Sequence, residues 1–154
     1  MIGADTDTGQ KERGCRMQNV IVTRYVTQEA KDIRIAVFMQ EQGFENEFDD
    51  IDARAFHVVV YRDGEPLGTG RLFTDDPLRR CWTVGRVAVL PKARKLHLGR
   101  AVLTALEEQA KAVGAYRIGL SAQCQARPFY EKCGYTAMGD IYMDEHCPHI
   151  HMEK

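Results

Sequence analysis

The sequence predicts a single domain of the mixed α+β (α/β) class, with a central mixed sheet of about six or seven strands flanked by about four helices. Three observations support this prediction. The 154 residues suit one compact domain with its own core. Short β-rich stretches alternate along the chain with stretches of helical periodicity. The composition, 44% hydrophobic and 28% charged, is ordinary for a globular domain.

The chain is predicted to begin with a flexible tail over residues 1–18, followed by the folded domain over residues 19–154. The tail is polar and Gly-rich, and it lacks the apolar run of a secretory signal. Residues 20–26 are rich in β-branched side chains and read as the first strand. Thr27 is suited to cap a helix that runs to about Gln40. The next segment, residues 41–52, holds six acidic residues and no Lys or Arg.

The middle of the chain predicts a hairpin and a central strand. Residues 56–61 and 67–73 are two strands, and Asp63 with Gly64 between them is a strong signal for a tight hairpin turn. Residues 82–90 form a further strand whose second half is nearly continuous in Val and Ala, as in a strand buried on both faces. Pro91 ends this strand.

The C-terminal part predicts alternating helices and strands. An apolar stripe along residues 99–113 indicates an amphipathic helix, and Gly114 ends it. Residues 116–120 are a strand, and residues 127–133 are a short helix with Pro128 in its first turn. Residues 136–143 and 149–152 supply one or two final strands.

Charge and cysteine content restrict the class of protein. A formal net charge of -1 argues against nucleic acid or membrane surfaces as partners, because both favour a basic excess. No apolar run approaches the roughly 20 residues that span a bilayer. The five cysteines are scattered without CxxC spacing, which indicates reduced thiols and a cytoplasmic protein.

The most informative stretch is a buried strand that passes through a basic loop directly into a helix. Free backbone N–H groups and the positive end of the helix dipole make such a junction an anion site, with a pyrophosphate as the obvious guest. A solvated loop is about as good an explanation of the charges alone. The basic side chains at the junction are Lys92, Arg94, Lys95 and Arg100.

At this point the chain resembles the GNAT superfamily of N-acetyltransferases. The strand with Val87, Val89 and Pro91 is followed by Arg94 and Gly99 in the places of the family's Arg/Gln and last Gly. The downstream run Phe-Tyr-Glu-Lys-Cys-Gly-Tyr, ending at residue 135, matches a second family segment. Further matches point to the ElaA-like bacterial branch and extend the resemblance over about residues 20–153: Val37, Phe38, Glu41, Gln42, Asp49, Asp52, His57, Gln123, Pro148, His149 and Met152.

The resemblance implies two splayed parallel strands that hold acetyl-CoA, and no metal. It implies transfer of the acetyl group to a primary amine of a small molecule or peptide, by direct attack within a ternary complex. The cofactor-binding residues that it implies are Val87, Ala88, Val89, Arg94, Lys95, Leu96, His97, Leu98, Gly99, Arg100, Gln123 and Tyr130. Among these, Leu96 and Leu98 are expected to pack rather than to bind.

His97 departs from the family pattern, because it occupies the place of the first Gly. A side chain there risks crowding the phosphates or straining a backbone with positive φ. Histidine tolerates such a backbone better than most residues, so we expect acetyl-CoA binding to survive.

The resemblance implies Tyr130 as the general acid that protonates the leaving thiolate, although its spacing alone favours a packing role. The amine must lose a proton before attack, and His57, His149 or a glutamate of the acidic segment acting through water are the possible acceptors. Each histidine alone is more often structural. The acidic segment is either a solvated loop or an attractor of cationic acceptors.

Two alternatives remain open at this stage. One is a catalytically silent CoA-binding domain that regulates a partner, and His97 is the feature that favours it. The other is a metal-binding protein that uses His146, Cys147, His149 and His151, although this spacing matches no common zinc motif. A homodimer is possible, as in many members of the superfamily.

Overall fold

The structure is a computed structural model that describes residues 17–154, so the predicted tail lies outside the described residues except for its last two. The seven strands described are Gln18–Thr23 (β1), Phe56–Arg62 (β2), Glu65–Phe73 (β3), Cys81–Val89 (β4), Arg117–Gln123 (β5), Thr136–Asp144 (β6) and Cys147–Glu153 (β7). The α-helices are Gln28–Arg34 (α1), Leu98–Ala112 (α2) and Arg127–Lys132 (α3). No helix among them is long and apolar enough to cross a membrane.

All seven strands belong to one mixed sheet in the order β1-β2-β3-β4-β5-β7-β6. Every neighbouring pair is antiparallel except β4 and β5, which are parallel. Their pairing extends only from Cys81 opposite Arg117 to Val84 opposite Leu120. Beyond these residues the two strands separate, as the resemblance implied.

The helix count differs from the prediction, because residues 17–154 contain three α-helices rather than about four. Thr27 caps α1 as expected, with its side chain accepting a hydrogen bond from the backbone of Ala30. The helix then continues as a π-helical segment, Ile35–Glu41. Gly43 at φ +76° follows, and the acidic segment then forms the 3₁₀ turn Asp50–Ala53, around which Glu47, Asp49 and Asp52 pair with arginines.

The helices cover both faces of the sheet. Successive side chains of a strand point to opposite faces, and accordingly Val58 belongs to the core beneath α2 whereas Val59 belongs to the core beneath α1. Gly70 allows α2 to approach closely, because a Cβ at this position would lie 2.8 Å from side-chain atoms of both Leu106 and Val102.

A β-bulge distorts β4 at the point where it leaves β5. Thr69 pairs with Ala88 while Arg71 pairs with Gly85, so two residues of β4 face one residue of β3. Arg86, the first of the two, has a φ of +52°. Bulges bend the strand that carries them, and this one lies where β4 and β5 part.

Candidate functional site

A cavity of about 770 Å³ opens where β4 and β5 separate. Residues 84–89 of β4 form one wall, and Leu120, Ser121 and Gln123 of β5 form the other. The beginning of α2, the helix α3 and the π-helical segment complete the enclosure. Of the predicted cofactor-binding residues, every one except Leu96 lines this cavity.

One side of the cavity, called here the basic side, surrounds the N-terminus of α2. The first turn of a helix carries backbone N–H groups without partners inside the helix, together with a partial positive charge. No acidic residue lies in the first turn of α2. This side therefore suits an anion. Its cationic side chains and the histidine before the helix are Arg94, Lys95, His97, Arg100 and Lys132.

His97 immediately precedes α2 with a left-handed backbone, at φ +60° and ψ +25°. The position is therefore one where glycine is favoured, as the comparison with the family pattern predicted. Gly99 is the point of closest packing in this loop, because a Cβ there would lie 3.3 Å from Cζ of Phe129. Leu98 is buried in the core, as expected. Leu96 is not packed, with 38% of its surface exposed, because it lies at the turn before His97.

Arg94 already has partners. Its Nη1 donates to Oε2 of Glu41 at 2.6 Å, and its Nη2 donates to Oε1 of the same carboxylate. Its Nε donates to the carbonyl oxygen of Val89 at 3.3 Å. The hydrogen bonds and charge of Arg94 lower the pKa of Glu41. The π-helical segment is thus joined to the basic side through an exposed ion pair.

Tyr130 lies on α3 with its ring in the cavity wall. Phe129 and Tyr135 contact it edge-on, with ring centroids 5.0 Å and 6.0 Å away. Burial raises the pKa of Tyr130 to about 12, with a smaller contribution from Cys133. The phenol therefore keeps its proton throughout the neutral range and is available as a proton donor.

The other side of the cavity, called here the acidic side, holds Glu47, Asp144 and Glu145. Both oxygens of the Glu145 carboxylate accept hydrogen bonds from the backbone of the acidic segment. Between the two sides, Gln123 donates from Nε2 to Oε1 of Gln42 at 2.7 Å. The carboxylates of the lining thus lie on one side of the cavity, where Arg86 pairs with Glu47, and most of its cationic side chains lie on the other.

Beneath the acidic side lies a group of six ionised side chains, called here the arginine cluster: Arg34, Arg71, Arg86, Glu47, Asp49 and Asp52. Arg34 donates from Nε to Glu47 at 2.8 Å and from Nη1 to Asp52 at 2.8 Å. Arg71 bridges Asp52 and Asp49. The cluster has three charges of each sign, so burial leaves no net charge uncompensated.

The pKa values within the arginine cluster diverge. Burial raises the pKa of Glu47, although the hydrogen bond from Arg34 and the nearby arginine charges oppose it. Burial also acts to raise the pKa of Asp52, but the hydrogen bonds and charges of Arg34 and Arg71 outweigh it and lower the pKa. The acidic segment is consequently not a solvated loop: Glu41, Glu47, Asp49 and Asp52 all have arginine partners.

The two predicted base histidines differ in position. His149 lines the cavity, and its Nδ1 lies 2.9 Å from the carbonyl oxygen of Cys147. His57 is 1% exposed, lies outside the cavity lining, and donates from Nε2 to the carbonyl oxygen of Asp52 at 2.9 Å. Burial lowers its pKa. His57, predicted as one possible acceptor of the amine proton, thus lies away from the cavity, and its ring bonds the backbone of the arginine cluster.

The His/Cys tail does not assemble a metal site. Cys147 and His149 are buried, whereas His151 is exposed and pairs with Glu153 at 3.0 Å. His146 lies against the ring of Phe44, with centroids 5.0 Å apart. Residues 17–154 contain no group of three or more His, Cys, Asp or Glu side chains placed to hold a metal ion.

The sequence analysis did not identify the roles that three site residues have in the structure: Arg34, Arg86 and Glu145. Arg34 and Arg86 each stand within an otherwise apolar stretch, and a single charge in such a stretch indicates a buried partner. That signal was available. Glu145 carried none, because its contacts lie 99 and 100 residues away in the chain.

Comparison with known proteins agrees with this geometry. The model of the acetyltransferase (GNAT) family matches residues 23–135. The N-acetyltransferase YjcF of Bacillus subtilis (strain 168) is 35% identical over 125 residues, which cover 79% of this chain and 87% of YjcF.

Two solved structures have a similar fold. An N-acetyltransferase from Lactobacillus plantarum matches with a TM-score of 0.79 and 29% identity, over 89% of this chain and 97% of that one. Escherichia coli ElaA matches with a TM-score of 0.77 over 90% of this chain and 99% of that one. At 20% identity, the likeness to ElaA is one of fold.

Proposed function

The chain belongs to the acetyltransferase (GNAT) family and is an N-acetyltransferase, and we propose that it moves the acetyl group of acetyl-CoA to a primary amine of a small molecule or peptide. The observation that carries this proposal is the parting of β4 from β5 beside the N-terminus of α2. A slot between strands accommodates a linear thioester arm, and a helix N-terminus accommodates the phosphates at its end.

The basic side would bind the pyrophosphate of acetyl-CoA. Backbone N–H groups from Lys95 to Arg100 supply donors, and the charges of Arg94, Lys95 and Arg100 add attraction. Gly99 keeps the loop close to Phe129, which leaves the helix N-terminus open. His97 offers a backbone N–H as a glycine would, with its left-handed geometry already in place.

Residues 87–89 would hold the acetyl-pantetheine arm. Here β4 has lost its β5 partner, so the backbone groups of Val87 and the N–H of Val89 on that edge are available to the arm, while the Val89 carbonyl oxygen accepts from Arg94. A donor directed at the thioester oxygen would stabilise the negative charge that develops there. Gln123, across the slot on β5, completes this part of the lining.

Transfer would proceed by direct attack. The unprotonated amine nitrogen forms a bond to the acetyl carbon, the carbon–sulfur bond then breaks, and the electron pair leaves on sulfur. Tyr130 donates its phenolic proton to this thiolate, and the proton released by the amine restores the phenol through solvent. His149, or Glu47 acting through water, would accept the proton of the incoming ammonium, since both line the cavity.

Calorimetric titration of the metal-free protein with acetyl-CoA tests the proposal, with acetyl phosphate as the control. Saturable binding of acetyl-CoA alone is expected. Acetyl transfer to any amine of a screen would separate the proposal from a silent CoA-binding domain. A protein that binds neither compound would contradict the assignment of the basic side.

Tyr130→Phe should lower kcat by roughly 10²–10⁴-fold, the range for loss of a general acid, while the KM for acetyl-CoA stays unchanged. Tyr135→Phe is the matched control, because its phenol donates to Glu107 at 3.1 Å and lies outside the cavity lining. Equal kcat values for the Tyr130→Phe and Tyr135→Phe variants would mean that Tyr130 only packs its ring.

We further propose a cytoplasmic location and a homodimer. The four cysteines described are all free, which supports a reducing compartment. The edge strand β6 supports a dimer, since an edge strand that exposes apolar side chains is a pairing surface: Met138, Ile141, Tyr142 and Met143. Light scattering that gives the mass of a single chain would contradict the dimer.

A further inference from the structure

The turn between β6 and β7 has an unusual residue at an unfavourable backbone position. Asp144 pairs with Cys147, so the connection has two residues, Glu145 and His146. Glu145 has a φ of +51°. Two-residue hairpins normally place Gly, Asn or Asp where φ is positive, because other side chains strain the backbone there. Glutamate is thus not a residue that the backbone alone favours at this position.

The Glu145 side chain crosses to the acidic segment. Its Oε1 accepts from the backbone N–H of Glu45 at 3.0 Å, and its Oε2 accepts from that of Asn46 at 3.3 Å. These are charge-assisted hydrogen bonds, stronger than those of a neutral acceptor. We call this pair of bonds the Glu145 clasp. It joins parts of the chain 99 and 100 residues apart.

A second contact stands beside the clasp. The ring of His146 packs against that of Phe44 with centroids 5.0 Å apart. On the far side of the clasp, the Glu47 carboxylate accepts a hydrogen bond from Nε of Arg34 at 2.8 Å. Residues 44–47 are thus held at one end by the arginine cluster and at the other by the β6–β7 turn.

Residues on both sides of the clasp line the cavity. Phe44 and Asn46 stand on the side of the acidic segment, and Asp144 and His149 stand on the side of the hairpin. None of these residues belongs to the basic side, so we assign this part of the lining to the amine acceptor. The clasp therefore fixes the wall against which an acceptor would pack.

We propose that Glu145 is a positioning residue that sets the size of the acceptor pocket, and that it does so by holding residues 44–47 against the β6–β7 turn. This inference rests on the proposed function. The Glu145 carboxylate is occupied by two backbone donors, so it acts through Phe44 and Asn46 rather than by pairing with the amine itself. Loosening the clasp widens the pocket and weakens the fit of small acceptors.

Glu145→Gly separates this role from folding. Glycine suits the positive φ, so thermal stability should stay level or rise, while both hydrogen bonds of the clasp are lost. Amide hydrogen exchange should accelerate at least tenfold at Glu45 and Asn46. Glu145→Gln, whose amide oxygen still accepts, should give intermediate exchange. Glu131→Gln is the control, because this exposed carboxylate on α3 lies outside the cavity lining.

The kinetic test uses a panel of primary amines that runs from ethanolamine through spermidine to a lysine peptide. Glu145→Gly should raise the KM of the small amines at least fivefold, leave the KM of acetyl-CoA within twofold, and favour bulky amines over small ones. Unchanged amine KM values and an unchanged bulky-to-small ratio would overturn the inference. A wild-type chain that acetylates no amine would instead overturn the proposed function, and this inference with it.

Discussion

The basic side of the cavity comes mainly from one continuous stretch of chain, joined by Lys132 of α3, whereas the acidic side is assembled from separate stretches. On the basic side, the bulged end of β4, the loop and the first turn of α2 follow one another between residues 86 and 100. The contacts they offer come largely from backbone groups. On the acidic side, residues 44–47 meet the β6–β7 turn through the Glu145 clasp and the Phe44–His146 contact.

The two sides also differ in how their charges are held. Arg34 of the arginine cluster is 1% exposed, and loss of a partner there leaves an isolated charge in a medium of low dielectric constant. The Arg94–Glu41 pair on the basic side is exposed to 42% and 35%, where water and salt screen it. Substitutions of the buried charges in the arginine cluster should therefore affect stability, and substitutions in the exposed Arg94–Glu41 pair should affect ligand affinity.

Arg34→Ala should produce the largest effect. Removal of this guanidinium leaves Glu47 and Asp52 buried with one partner fewer, and breaking a buried pair in this way typically costs about 3–5 kcal/mol. Urea unfolding measures the change. Arg117→Ala is the control, since Arg117 makes an exposed pair with Glu153 at 3.6 Å and should lose less than about 1 kcal/mol. Similar losses in both variants would contradict the contrast between buried and exposed ion pairs.

The same contrast explains how far the sequence was informative. The basic side was predictable, because an anion site at a strand–loop–helix junction is local and its residues are neighbours in the chain. His97 illustrates this, since its positive φ was anticipated from the family pattern alone. The order of the elements along the chain was predictable for the same reason.

The acidic side was not predictable, because its contacts depend on tertiary packing. Six acids without a nearby Lys or Arg resemble a solvated loop, and nothing local shows that arginines from α1, β3 and β4 converge on them. The surroundings of His57 were not predictable for the same reason. A histidine on a strand shows neither its depth nor its partner, and here the partner is the backbone of Asp52.

The second prediction concerns pH and again probes the arginine cluster. Burial lowers the pKa of His57 below 6.5, so the folded protein binds fewer protons there than the unfolded chain. Stability is then fully present above pH 6.5 and falls as the pH drops toward the lower folded value. One proton limits the slope to about 1.4 kcal/mol per pH unit, and the raised pKa of Glu47 acts in the opposite direction as the pH approaches 5, which keeps the slope below this limit. Urea unfolding between pH 8 and pH 5 measures it.

His57→Gln supplies the matched control for this pH dependence. A glutamine N–H can still donate to the carbonyl oxygen of Asp52 but does not titrate, so the slope between pH 6.5 and 5 should flatten. The lowered pKa values of Asp49 and Asp52 add a further loss only below about pH 4. A variant with the wild-type slope would assign the pH dependence to another group.

On the basic side, the third prediction tests the backbone at His97. His97→Val should lower the free energy of unfolding by about 1 kcal/mol, because β-branched side chains tolerate positive φ poorly. His97→Gly should keep or raise stability, since glycine adopts this conformation without a clash. Thermal unfolding of both variants measures these changes in stability. If the Gly variant loses as much free energy of unfolding as the Val variant, the imidazole itself stabilises the loop.

Glu41→Gln should change stability least. This variant tests the basic side through its affinity for acetyl-CoA. Arg94 must divide its guanidinium between Glu41 and the phosphates of acetyl-CoA, so removing the Glu41 charge should favour the ligand. An exposed pair contributes at most about 1 kcal/mol, which corresponds to binding that is tighter by up to about fivefold. The free energy of unfolding should change by less than this amount.

Calorimetric titration at low and high salt makes the Glu41 test decisive. The gain in affinity should shrink as salt screens the competing charges. Glu65→Gln is the control, because Glu65 forms a similar exposed pair with Lys92 outside the cavity lining and should leave affinity unchanged. Weaker binding by Glu41→Gln would reverse the interpretation: Glu41 would then hold Arg94 in its binding position, and the basic side would depend on side-chain packing as the acidic side does.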